Sequence, residues 1–599
     1  MTKTLVFVGL FLCVLAFLVQ GYLFIDANSQ TFDEAAHIAA GCSYIAKGDF
    51  RLNVEHPPLS KELAGLAVYL RFHLPFDPKP ELWQKADEWM IGRDFLYRWE
   101  GEARREGEAP AEPRSDGNRT RQEPRPPASV PAEEILRIAR LPNLILGAAL
   151  IALVGWWTYR LWGAWPALFA GGLAAFDPNL LANAGLVTTD LPIAFFIFLT
   201  IYLLWEYQLR PSLVRLLAVG IAAGLTLATK FTGLLVFVII GVVILLQALS
   251  RERVEKRADF RSRLRQSFAP FLRIVLVALM VVPLLYCIYG FPVWAQGLRY
   301  QMARAEAGDP HFYFLGEHIS HGRLAYLPVA FFIKTPVGTL LMIAASLLLW
   351  RFEVGLDRRT ALFLLVPPAI YFAAMTATRV NLGLRYALPV YPFLFVLAGR
   401  VGTIHLGKSL ALSRLCGVTG LTLTAASSLM VTPHQLAYFN ELIGGPAQGH
   451  KYLSDSNLDW GQDLKGLKNY MDHEGIPVIY LSYFGTAPPS GWGIRYQYLP
   501  AWVENIQDPD LNERVPPSGR QILAISVVNL QGIYFDVDRD RYRWLESRTP
   551  LTTVGHSIYL YDITGDRDAH AKLVDIYEGL NLQELANLER EQARELTVK

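Results

Sequence analysis

Two adjacent acids follow the first apolar segment of the chain, where Thr31-Phe32-Asp33-Glu34 opens the stretch TFDEAAHIAAG. Thr31 and Glu34 fit a capping box, S/T-x-x-E, and this pattern predicts a helix start. The box leaves Asp33 unused, one turn before His37. A carboxylate in this place can act as a general base, which takes a proton from a reacting hydroxyl. Asp33 and Glu34 are therefore candidate catalytic residues, with helix capping as the alternative.

The motif HPPLSK (56–61) is the second feature that could carry chemistry. Its double proline predicts a rigid entry into a helix, because proline suits the first helical turn. Lys61 then has two interpretations: its side chain reaches the lipid headgroups, or it holds a phosphate as a compact positive charge. His37 and His56 are candidate supporting residues for the same site.

Further charged residues lie at or near the ends of later apolar segments. Asp190 precedes an apolar run in TTDLPIAFF, where capping together with Thr188 or Thr189 is the simpler explanation. Charges at a membrane edge are costly and are functional candidates by default. Asp190 is therefore a third candidate acid in catalysis. The candidate ligands for a phosphate are Lys61, Lys230, Arg323, Lys334 and Arg385.

The elements that must position these residues are membrane-spanning helices. The chain has 599 residues, of which 52% are hydrophobic, and its mean hydropathy of +0.24 is too apolar for a soluble protein of this length. A spanning helix needs about 20 mostly apolar residues, and about eleven windows fit this requirement. The windows are 4–25, 141–159, 163–181, 191–207, 212–229, 232–249, 269–290, 326–350, 361–377, 384–400 and 409–431.

Basic residues set the predicted orientation of these spans. The segment SRERVEKRADFRSRLRQS (250–267) is the most basic loop, and the positive-inside rule places it in the cytoplasm. Counting outward, the N-terminus is cytoplasmic, while 26–136, 291–325 and everything after about residue 432 lie outside. The first window lacks a cleavage pattern, so we interpret it as a retained anchor in the inner or plasma membrane.

The candidate residues converge on one face of the membrane in this topology. Acids, bases and a lipid leaflet on the same side fit a reaction on a phosphate-bearing lipid. A formal net charge of +2 gives no reason to expect a nucleic-acid partner. The residues predicted to share the outer face are Asp33, Glu34, His56, Lys61, Asp190, Lys230, Arg323 and Arg385.

Composition divides the chain into two predicted domains. Residues 1–432 form an all-α polytopic membrane domain, and 433–599 form a small extracytoplasmic α/β domain with a helix followed by apolar strands. Within the first outer loop, 101–133 is rich in Pro, Glu, Arg and Gly and has almost no large apolar side chain. We expect this insert to be disordered, because it cannot bury enough surface to fold.

Two short motifs in the outer domain are weaker signals. The D-x-D at 536–538 is also found in metal-dependent nucleotide-sugar transferases, but three-residue motifs are common by chance. The stretch DSNLDWGQD (455–463) resembles a calcium loop, except that Trp460 replaces the required glycine. We therefore predict no cofactor, while a divalent metal stays open. Asp455, Asp459 and Trp460 are weak candidates for contact with an acceptor or a glycan, since a tryptophan ring can stack on a sugar.

Several of these motifs resemble the GT-C superfamily of glycosyltransferases, which use polyprenyl-phosphate sugars. The acidic pair, HPPLSK, TTDLP and RYALPVYP carry the resemblance over about residues 1–400. The most similar branches are the protein O-mannosyltransferases and the aminoarabinose transferases of glycosyltransferase family 39. The resemblance implies a GT-C type membrane domain in which Asp33 is the base, Asp190 supports the site and basic residues hold the lipid phosphate. The insert 101–133 and the C-terminal domain depart from the family pattern, so no acceptor is implied.

The resulting hypothesis is an inverting sugar transferase, either metal-independent or metal-assisted. An acceptor hydroxyl on a protein, lipid or glycan loses its proton to Asp33 and attacks the sugar. The polyprenyl phosphate then leaves, stabilised by Lys61, Arg323 and Arg385. A transporter or lipid exporter is the alternative, but transporters usually carry inverted repeats, and we find no repeat. A membrane-anchored scaffold is a third hypothesis, for which about eleven spans are more than an anchor requires.

Overall fold

The structure is a computed structural model, which divides the chain into two compact units. The membrane unit comprises Met1–Asp26, Asp33–Pro310 and Ser320–Gly449, and the C-terminal unit comprises Ala27–Phe32, His311–Ile319 and His450–Lys599. The structure describes residues 3–97, 130–252, 260–287, 291–308, 311–320, 322–348, 357–380, 382–403, 410–502, 513–516, 519–535 and 537–598.

The membrane unit is built from helices, because only a helix satisfies the backbone of an apolar segment within lipid. Short 3-10 turns at Phe231–Leu234 and Leu384–Val390 precede two of these helices. The helices in chain order are α1 (Lys3–Ala27), α2 (Glu34–Lys47), α3 (Leu59–Phe72), α4 (Pro80–Lys85), α5 (88–97), α6 (Ala132–Trp162), α7 (Ala164–Ala175), α8 (Pro178–Ala184), α9 (Asp190–Leu209), α10 (Leu213–Thr229), α11 (Leu235–Glu252), α12 (Phe260–Leu285), α13 (Phe291–Ala307), α14 (Tyr326–Lys334), α15 (Val337–Leu348), α16 (Arg358–Thr376), α17 (Tyr391–Gly399) and α18 (Leu410–Val431).

The predicted polytopic helical class is confirmed. Within the described ranges, eight helices are long and apolar enough to cross a membrane, and the bent pair α14–α15 brings the number to nine. The shorter apolar helices α7 and α10 coincide with the two remaining windows. Each window predicted from hydropathy therefore corresponds to an apolar helix or to a broken pair of helices.

One predicted span is not a single helix. The window 326–350 is broken between α14 and α15, whose axes differ by 110°. Thr335 is extended (φ −88°, ψ 132°) because a residue before proline avoids the helical region, and Pro336 has no N–H to continue the helix. The predicted span at 326–350 is therefore formed by two helices with a sharp bend between them, and the proline is the physical reason.

The break leaves backbone carbonyls that the helix itself cannot satisfy. The side-chain amide and backbone N–H of Asn440 donate to three of these carbonyls at 2.6 to 3.0 Å. The amide of Asn179 donates to the fourth at 2.7 Å. The four carbonyls belong to Phe332, Ile333, Lys334 and Thr335.

Helices α2 and α3 pack with their backbones in close approach. A Cβ placed on Gly41 would lie 1.9 Å from the carbonyl oxygen of Lys61, and one on Gly65 would lie 2.3 Å from the carbonyl carbon of Gly41. Neither position has room for a side chain, so glycine is required at both. This contact joins the helix that follows Asp33 to the helix that contains the end of the HPPLSK motif.

The C-terminal unit contains the predicted α/β arrangement. Its five-stranded sheet has the order β4-β3-β5-β7-β6, parallel at β4-β3-β5 and antiparallel at β5-β7-β6. Strands β3 and β5 are buried along their whole length, as expected for apolar β-branched runs in the middle of a sheet. The elements are β1 (Phe312–Phe314), β2 (Glu317–Ile319), α19 (Leu464–Glu474), β3 (Ile479–Ser482), β4 (Tyr496–Tyr498), β5 (Ile522–Ser526), α20 (Val527–Leu530), β6 (Thr552–Val554), β7 (Ile558–Asp562), α21 (Arg567–Gly579) and α22 (Gln583–Val598).

The division between the units differs from the predicted boundary at 432/433. It falls between Gly449 and His450, and two short segments from the earlier part of the chain, 27–32 and 311–319, belong to the C-terminal unit. The predicted insert 101–133 ends too late, because Ala132 already starts α6. The rest of that insert up to residue 129, the centre of the basic loop (253–259) and Asp536 lie outside the described residues.

Candidate active site in the membrane unit

Two carboxylates and two cations form one cluster in the membrane unit. The Arg385 guanidinium lies 3.5 Å from Asp33 Oδ2 and 3.9 Å from Asp190 Oδ2. The other oxygen of Asp190 accepts from Lys230 Nζ at 2.5 Å. The sequence indicated each of the four residues separately, from its place near the end of an apolar segment. In the fold they form a row in which each side chain contacts the next, in the order Asp33, Arg385, Asp190 and Lys230.

Different elements hold these four side chains at the ends of helices. Asp33 immediately precedes α2, and Asp190 is the first residue of α9. Lys230 lies between α10 and the 3-10 turn that precedes α11, and Arg385 lies in the turn Leu384–Val390. Each charge is placed at or beside the start or end of a helix or helical turn.

Exposure varies along the cluster. The side chain of Asp190 is 3% exposed and that of Lys230 is 10% exposed, whereas the side chain of Asp33 is 23% exposed. Lys230 Nζ also lies 4.8 Å from the centre of the Tyr386 ring, a distance at which a cation is attracted to the ring face. Asp33 is thus the carboxylate that a molecule from solution can reach most easily.

Helix capping does not account for the two acids. Asp33 occupies the N-cap position of α2 and Thr189 that of α9, and neither makes a side-chain capping bond. The hydroxyl of Thr188 is buried without a hydrogen-bond partner. Helix capping, the alternative suggested by the sequence, therefore does not explain why Asp33 and Asp190 stand at these positions.

Glu34 is buried in an ion pair, and its predicted role as a catalytic acid stays a prediction. Its carboxylate accepts from Arg140 Nε at 2.8 Å and from the second guanidinium nitrogen at 2.6 Å, and it also accepts from Val187 N at 3.0 Å. Both side chains are almost fully removed from solvent. Arg140 was missed because the predicted span started at residue 141, although a single arginine beside an apolar run was a usable signal.

The rings of His37, which is buried, and His56, which is half-buried, lie beside the cluster as a pair. Their centres are 5.5 Å apart in an edge-to-face arrangement, and His37 Nδ1 donates to Val187 O at 2.7 Å. Burial lowers the pKa of His37, and the nearby Asp33 opposes this effect. Burial also lowers the pKa of His56 well below its usual value, and the positive charges of Lys230, Lys61 and Arg385 lower it further. Both rings are therefore neutral near pH 7.

Lys61 is buried behind the histidines. Its ammonium donates to Asn53 O at 2.6 Å, to Asn53 Oδ1 at 3.2 Å and to His56 O at 2.7 Å, which uses all three of its N–H groups. Burial lowers the pKa of Lys61 to about 7, against the charges of Glu88, Glu62 and Glu55. In this conformation Lys61 holds the turn that carries His56, and its predicted contact with a phosphate stays a prediction.

The remaining predicted cations lie elsewhere in the membrane unit. Lys334 Nζ donates to Leu436 O at 3.0 Å and lies 4.5 Å from the Phe439 ring centre, beside the helix break. Arg323 precedes α14, where its carbonyl accepts from Tyr326 N. The contacts of Lys334 are those of a structural residue, and the role of Arg323 in the site stays a prediction.

The weak candidates of the C-terminal unit are mostly interior residues. Trp460 is 3% exposed, so the prediction that its ring stacks on a glycan is wrong for this conformation. Asp459 is fully buried and accepts from the backbone N–H of Gly461 and Val528; its burial raises the pKa to about 8. Asp455 accepts from the Tyr534 hydroxyl at 2.7 Å. Within the described ranges, no group of three His, Cys, Asp or Glu residues could hold a metal ion.

Comparison with known proteins gives one family match. Residues 132–297, which include α6, α9 and Lys230, match the family of dolichyl-phosphate-mannose-protein mannosyltransferases. The predicted reaction class is confirmed. The chain is a membrane glycosyltransferase that uses a polyprenyl-phosphate-linked sugar, and the transporter alternative has no support. No curated protein matches the chain.

Solved structures of similar proteins cover most of the chain at low identity. ArnT from Cupriavidus metallidurans in the apo state is 13% identical with a TM-score of 0.46, and the match covers 92% of this chain and 97% of that one. The same enzyme bound to undecaprenyl phosphate gives a TM-score of 0.45 at 13% identity and the same coverage. The S. cerevisiae protein O-mannosyltransferase Pmt1-Pmt2 complex bound to the sugar donor is 20% identical, with coverage of 48% and 34% and a TM-score of 0.32. All three TM-scores are below 0.5.

Proposed function

We propose that the chain transfers the sugar with inversion at the anomeric carbon and that Asp33 is the general base. The observation that carries this proposal is the ordered cluster Asp33–Arg385–Asp190–Lys230, with its contacts of 2.5 to 3.9 Å. Asp33 is the most exposed of the four, and both cations lie within 3.9 Å of the buried Asp190. An acceptor can thus reach the base while a phosphate meets positive charge.

The reaction follows from these positions. The acceptor hydroxyl gives its proton to Asp33 while its oxygen forms a bond to the anomeric carbon. The bond from that carbon to the phosphate oxygen breaks, and its electron pair leaves with the polyprenyl phosphate. Arg385 and Lys230 stabilise the growing negative charge on the phosphate oxygens. Attack from the face opposite the leaving group inverts the anomeric configuration.

Asp190 supports this chemistry by holding the two cations. Its carboxylate binds Lys230 through one oxygen and faces Arg385 with the other. A long flexible lysine or arginine loses conformational freedom when it binds a phosphate, and a fixed carboxylate partner reduces that loss. The neutral His56 and His37 add hydrogen-bonding groups near the cations without adding positive charge, and they are suited to contact sugar hydroxyls.

The proposed donor and acceptor are chemical classes of molecule. The donor is a hexose or pentose linked to a polyprenyl phosphate, and mannose is the first sugar to test because the matching family is described by dolichyl-phosphate mannose. The acceptor is a hydroxyl group on a protein, lipid or glycan of the cell envelope. An aminoarabinose donor is the second to test, on the resemblance noted from the sequence.

A labelled-donor experiment tests the proposed function. Membranes that contain the wild-type chain are incubated with polyprenyl phosphates carrying labelled mannose, another hexose or aminoarabinose, and label is followed into protein, lipid and glycan fractions. Membranes with Asp33→Asn at equal protein level are the control. Transfer of one sugar by the wild type alone supports the proposal. Failure of every donor, with correctly folded protein, would overturn it.

We also propose that the active site faces the outside of the cell. The basic segment 250–267 supports this orientation, since the positive-inside rule places it in the cytoplasm. A reporter that is active only outside should work when fused after residue 320 or at the C-terminus, and a reporter inserted near residue 255 should be inactive. A cytoplasmic C-terminus would contradict the proposed orientation.

A further inference from the structure

The six residues that precede Asp33 are part of the C-terminal unit. Ala27–Phe32 cluster with this unit, although they are more than 400 residues from most of it in sequence. Ser29, Gln30 and Thr31 are fully buried. We call 27–32 the entry segment. It ends one peptide bond before the proposed base.

The first attachment of the entry segment is at Ser29. Its backbone N–H donates to Gln462 O at 2.8 Å. Its hydroxyl donates to Gly461 O at 3.3 Å and accepts from Leu464 N at 3.0 Å. One serine thus binds three residues of the segment 461–464, where the chain enters α19.

The second attachment fixes Phe32, the residue immediately before the base. The backbone N–H of Phe32 donates to Trp460 O at 2.9 Å. The carbonyl of Phe32 accepts from the Thr486 hydroxyl at 2.7 Å, and the same hydroxyl accepts from the Gln30 amide at 2.8 Å. Both backbone polar groups of Phe32 are therefore bound, so the plane of the peptide that leads into Asp33 is set.

The Phe32 ring gives a third attachment. It stacks on Phe484 with ring centres 5.4 Å apart and on Trp502 with centres 5.6 Å apart. The Tyr534 ring stacks in turn on Phe484, with ring centres 5.6 Å apart, and on Trp502, with centres 4.3 Å apart. Stacked aromatic pairs stabilise a contact beyond the apolar area that they bury. The entry segment thus ends in a four-ring aromatic cluster of the C-terminal unit.

The loop that holds the entry segment is itself rigid. Asp459 accepts from Gly461 N at 3.2 Å, and Asp463 accepts from the Ser557 hydroxyl at 2.6 Å. Gly461 has φ +85°, and a Cβ there would lie 2.6 Å from the Tyr483 hydroxyl oxygen. These buried acids belong to the DSNLDWGQD motif, whose role is therefore to shape the loop.

We propose that the C-terminal unit positions the base of the transfer reaction by holding the entry segment, with Ser29, Phe32 and Thr486 as positioning residues. The inference rests on the proposed function of Asp33 and deepens it by assigning a role to the C-terminal unit. A general base must lie within about 2.6–3.2 Å of the proton that it takes, and an error of about 1 Å can cost about 100-fold in rate. A fixed Phe32 peptide restricts where the Asp33 carboxylate can go.

A single hydroxyl provides the test. Thr486→Val keeps the shape of the side chain and removes the group that binds both Phe32 O and Gln30. We expect kcat to fall about 10-fold or more, with the KM for the labelled polyprenyl-phosphate sugar within about twofold, because the base is displaced and the cations are unchanged. Thr486→Ser restores the hydroxyl and should restore kcat. Hydrogen exchange at residues 28–33 should rise in Thr486→Val alone.

A matched control separates positioning from general damage to the unit. Ser482 is buried in the same unit, and its hydroxyl donates to Pro500 O at 2.7 Å and accepts from the Asn529 amide at 3.0 Å. Ser482→Ala removes the same two kinds of hydrogen bond without touching the entry segment. It should lower thermal stability about as much as Thr486→Val and leave kcat near the wild-type value.

A double variant distinguishes failure of this inference from failure of the proposed function. In the Asp33→Asn background, Thr486→Val should cause no further loss of kcat, because the displaced base is already absent. Equal kcat losses in Thr486→Val and Ser482→Ala, or a full additional loss in the double variant, would overturn the positioning role alone. Near-native turnover of Asp33→Asn would instead overturn the proposed base.

Discussion

Glu34 and Arg140 form a two-point ion pair, with contacts of 2.8 and 2.6 Å, between two side chains that are almost fully buried. The pair joins the first turn of α2 to α6. Arg140 also donates to Ile25 O at 3.2 Å, near the end of α1. Glu34, the residue next to the proposed base, is therefore joined through Arg140 to α6 and to the end of α1.

Breaking this ion pair should destabilise the membrane unit strongly. Glu34→Gln or Arg140→Leu leaves one buried charge without its partner, and such changes cost about 3–5 kcal/mol. We expect a marked fall in the unfolding temperature of the detergent-solubilised protein. The double variant Glu34→Gln/Arg140→Leu should lose less than the sum of the two single variants. Unchanged stability in both single variants would contradict the structural role of the pair.

Replacing the proposed base should remove the chemistry and leave the fold intact. Asp33→Asn keeps the size and polarity of the side chain, and no capping bond depends on it. We expect turnover to fall by about 10²- to 10⁴-fold, which is the usual contribution of a general base. Protein level, unfolding temperature and donor binding should stay close to the wild type. A variant with near-native turnover would exclude Asp33 as the base.

The two cations should affect donor binding as well as turnover. Arg385→Gln and Lys230→Met each remove a charge from the site, and hydrogen bonds to charged groups contribute about 1.5–3 kcal/mol, or roughly 10- to 100-fold in affinity. Binding of the labelled polyprenyl-phosphate sugar to the purified variants measures this loss.

Arg379→Gln is the matched control for the cation variants. Arg379 is an exposed arginine that donates to Glu306 O, and it precedes the turn that contains Arg385. The substitution removes the same charge from the same part of the chain and should leave donor affinity unchanged. An equal loss of affinity in Arg379→Gln and Arg385→Gln would show that net charge, and not the cluster, binds the donor.

His37 and His56 should make stability depend on pH. Their folded-state pKa values are lowered from the usual 6.5, first by burial. As the pH falls below about 6.5, the unfolded chain takes up protons that the folded chain resists, so the free energy of unfolding decreases. The stabilising contribution of the neutral histidines is present above this pH and is lost below it.

A difference measurement isolates the histidine effect. Burial raises the pKa of Glu62 and of Glu88 to about 7, and these acids act with the opposite sign because the folded state then binds the extra protons. Unfolding temperatures at pH 7.5 and 5.5 are therefore compared between the wild type and His56→Gln. The wild type should lose more on acidification than the variant does. An equal loss in both proteins would contradict a neutral His56 with a lowered pKa.

The spans and the charged cluster could be predicted because each depends on properties of single residues. An apolar window identifies its own helix, and an isolated charge at the end of such a window, such as Asp190 or Lys230, is costly enough to signal a role. The positive-inside rule then places these charges on one face. No pairing information is needed for any of these steps.

The partners of those residues could not be predicted, because they depend on the tertiary packing. Glu34 and Arg140 are 106 positions apart, and nothing local shows that they meet. Lys61 and Lys334, like Lys230, are isolated lysines near apolar segments. Their ammonium groups, however, donate hydrogen bonds to backbone carbonyls, whereas that of Lys230 donates to a carboxylate. The entry segment looks like a loop of the membrane domain, and only the fold shows that it belongs to the C-terminal unit.

The break between α14 and α15 has a consequence for how the chain is made. Three of the carbonyls exposed at the end of α14 are bound by Asn440, which the ribosome adds more than 100 residues later. These three carbonyls therefore have no bond from Asn440 until the segment after α18 has been synthesised. The final packing at this break cannot be completed before the last part of the membrane unit has been made, so the middle of the unit and its end must reach their final structure together.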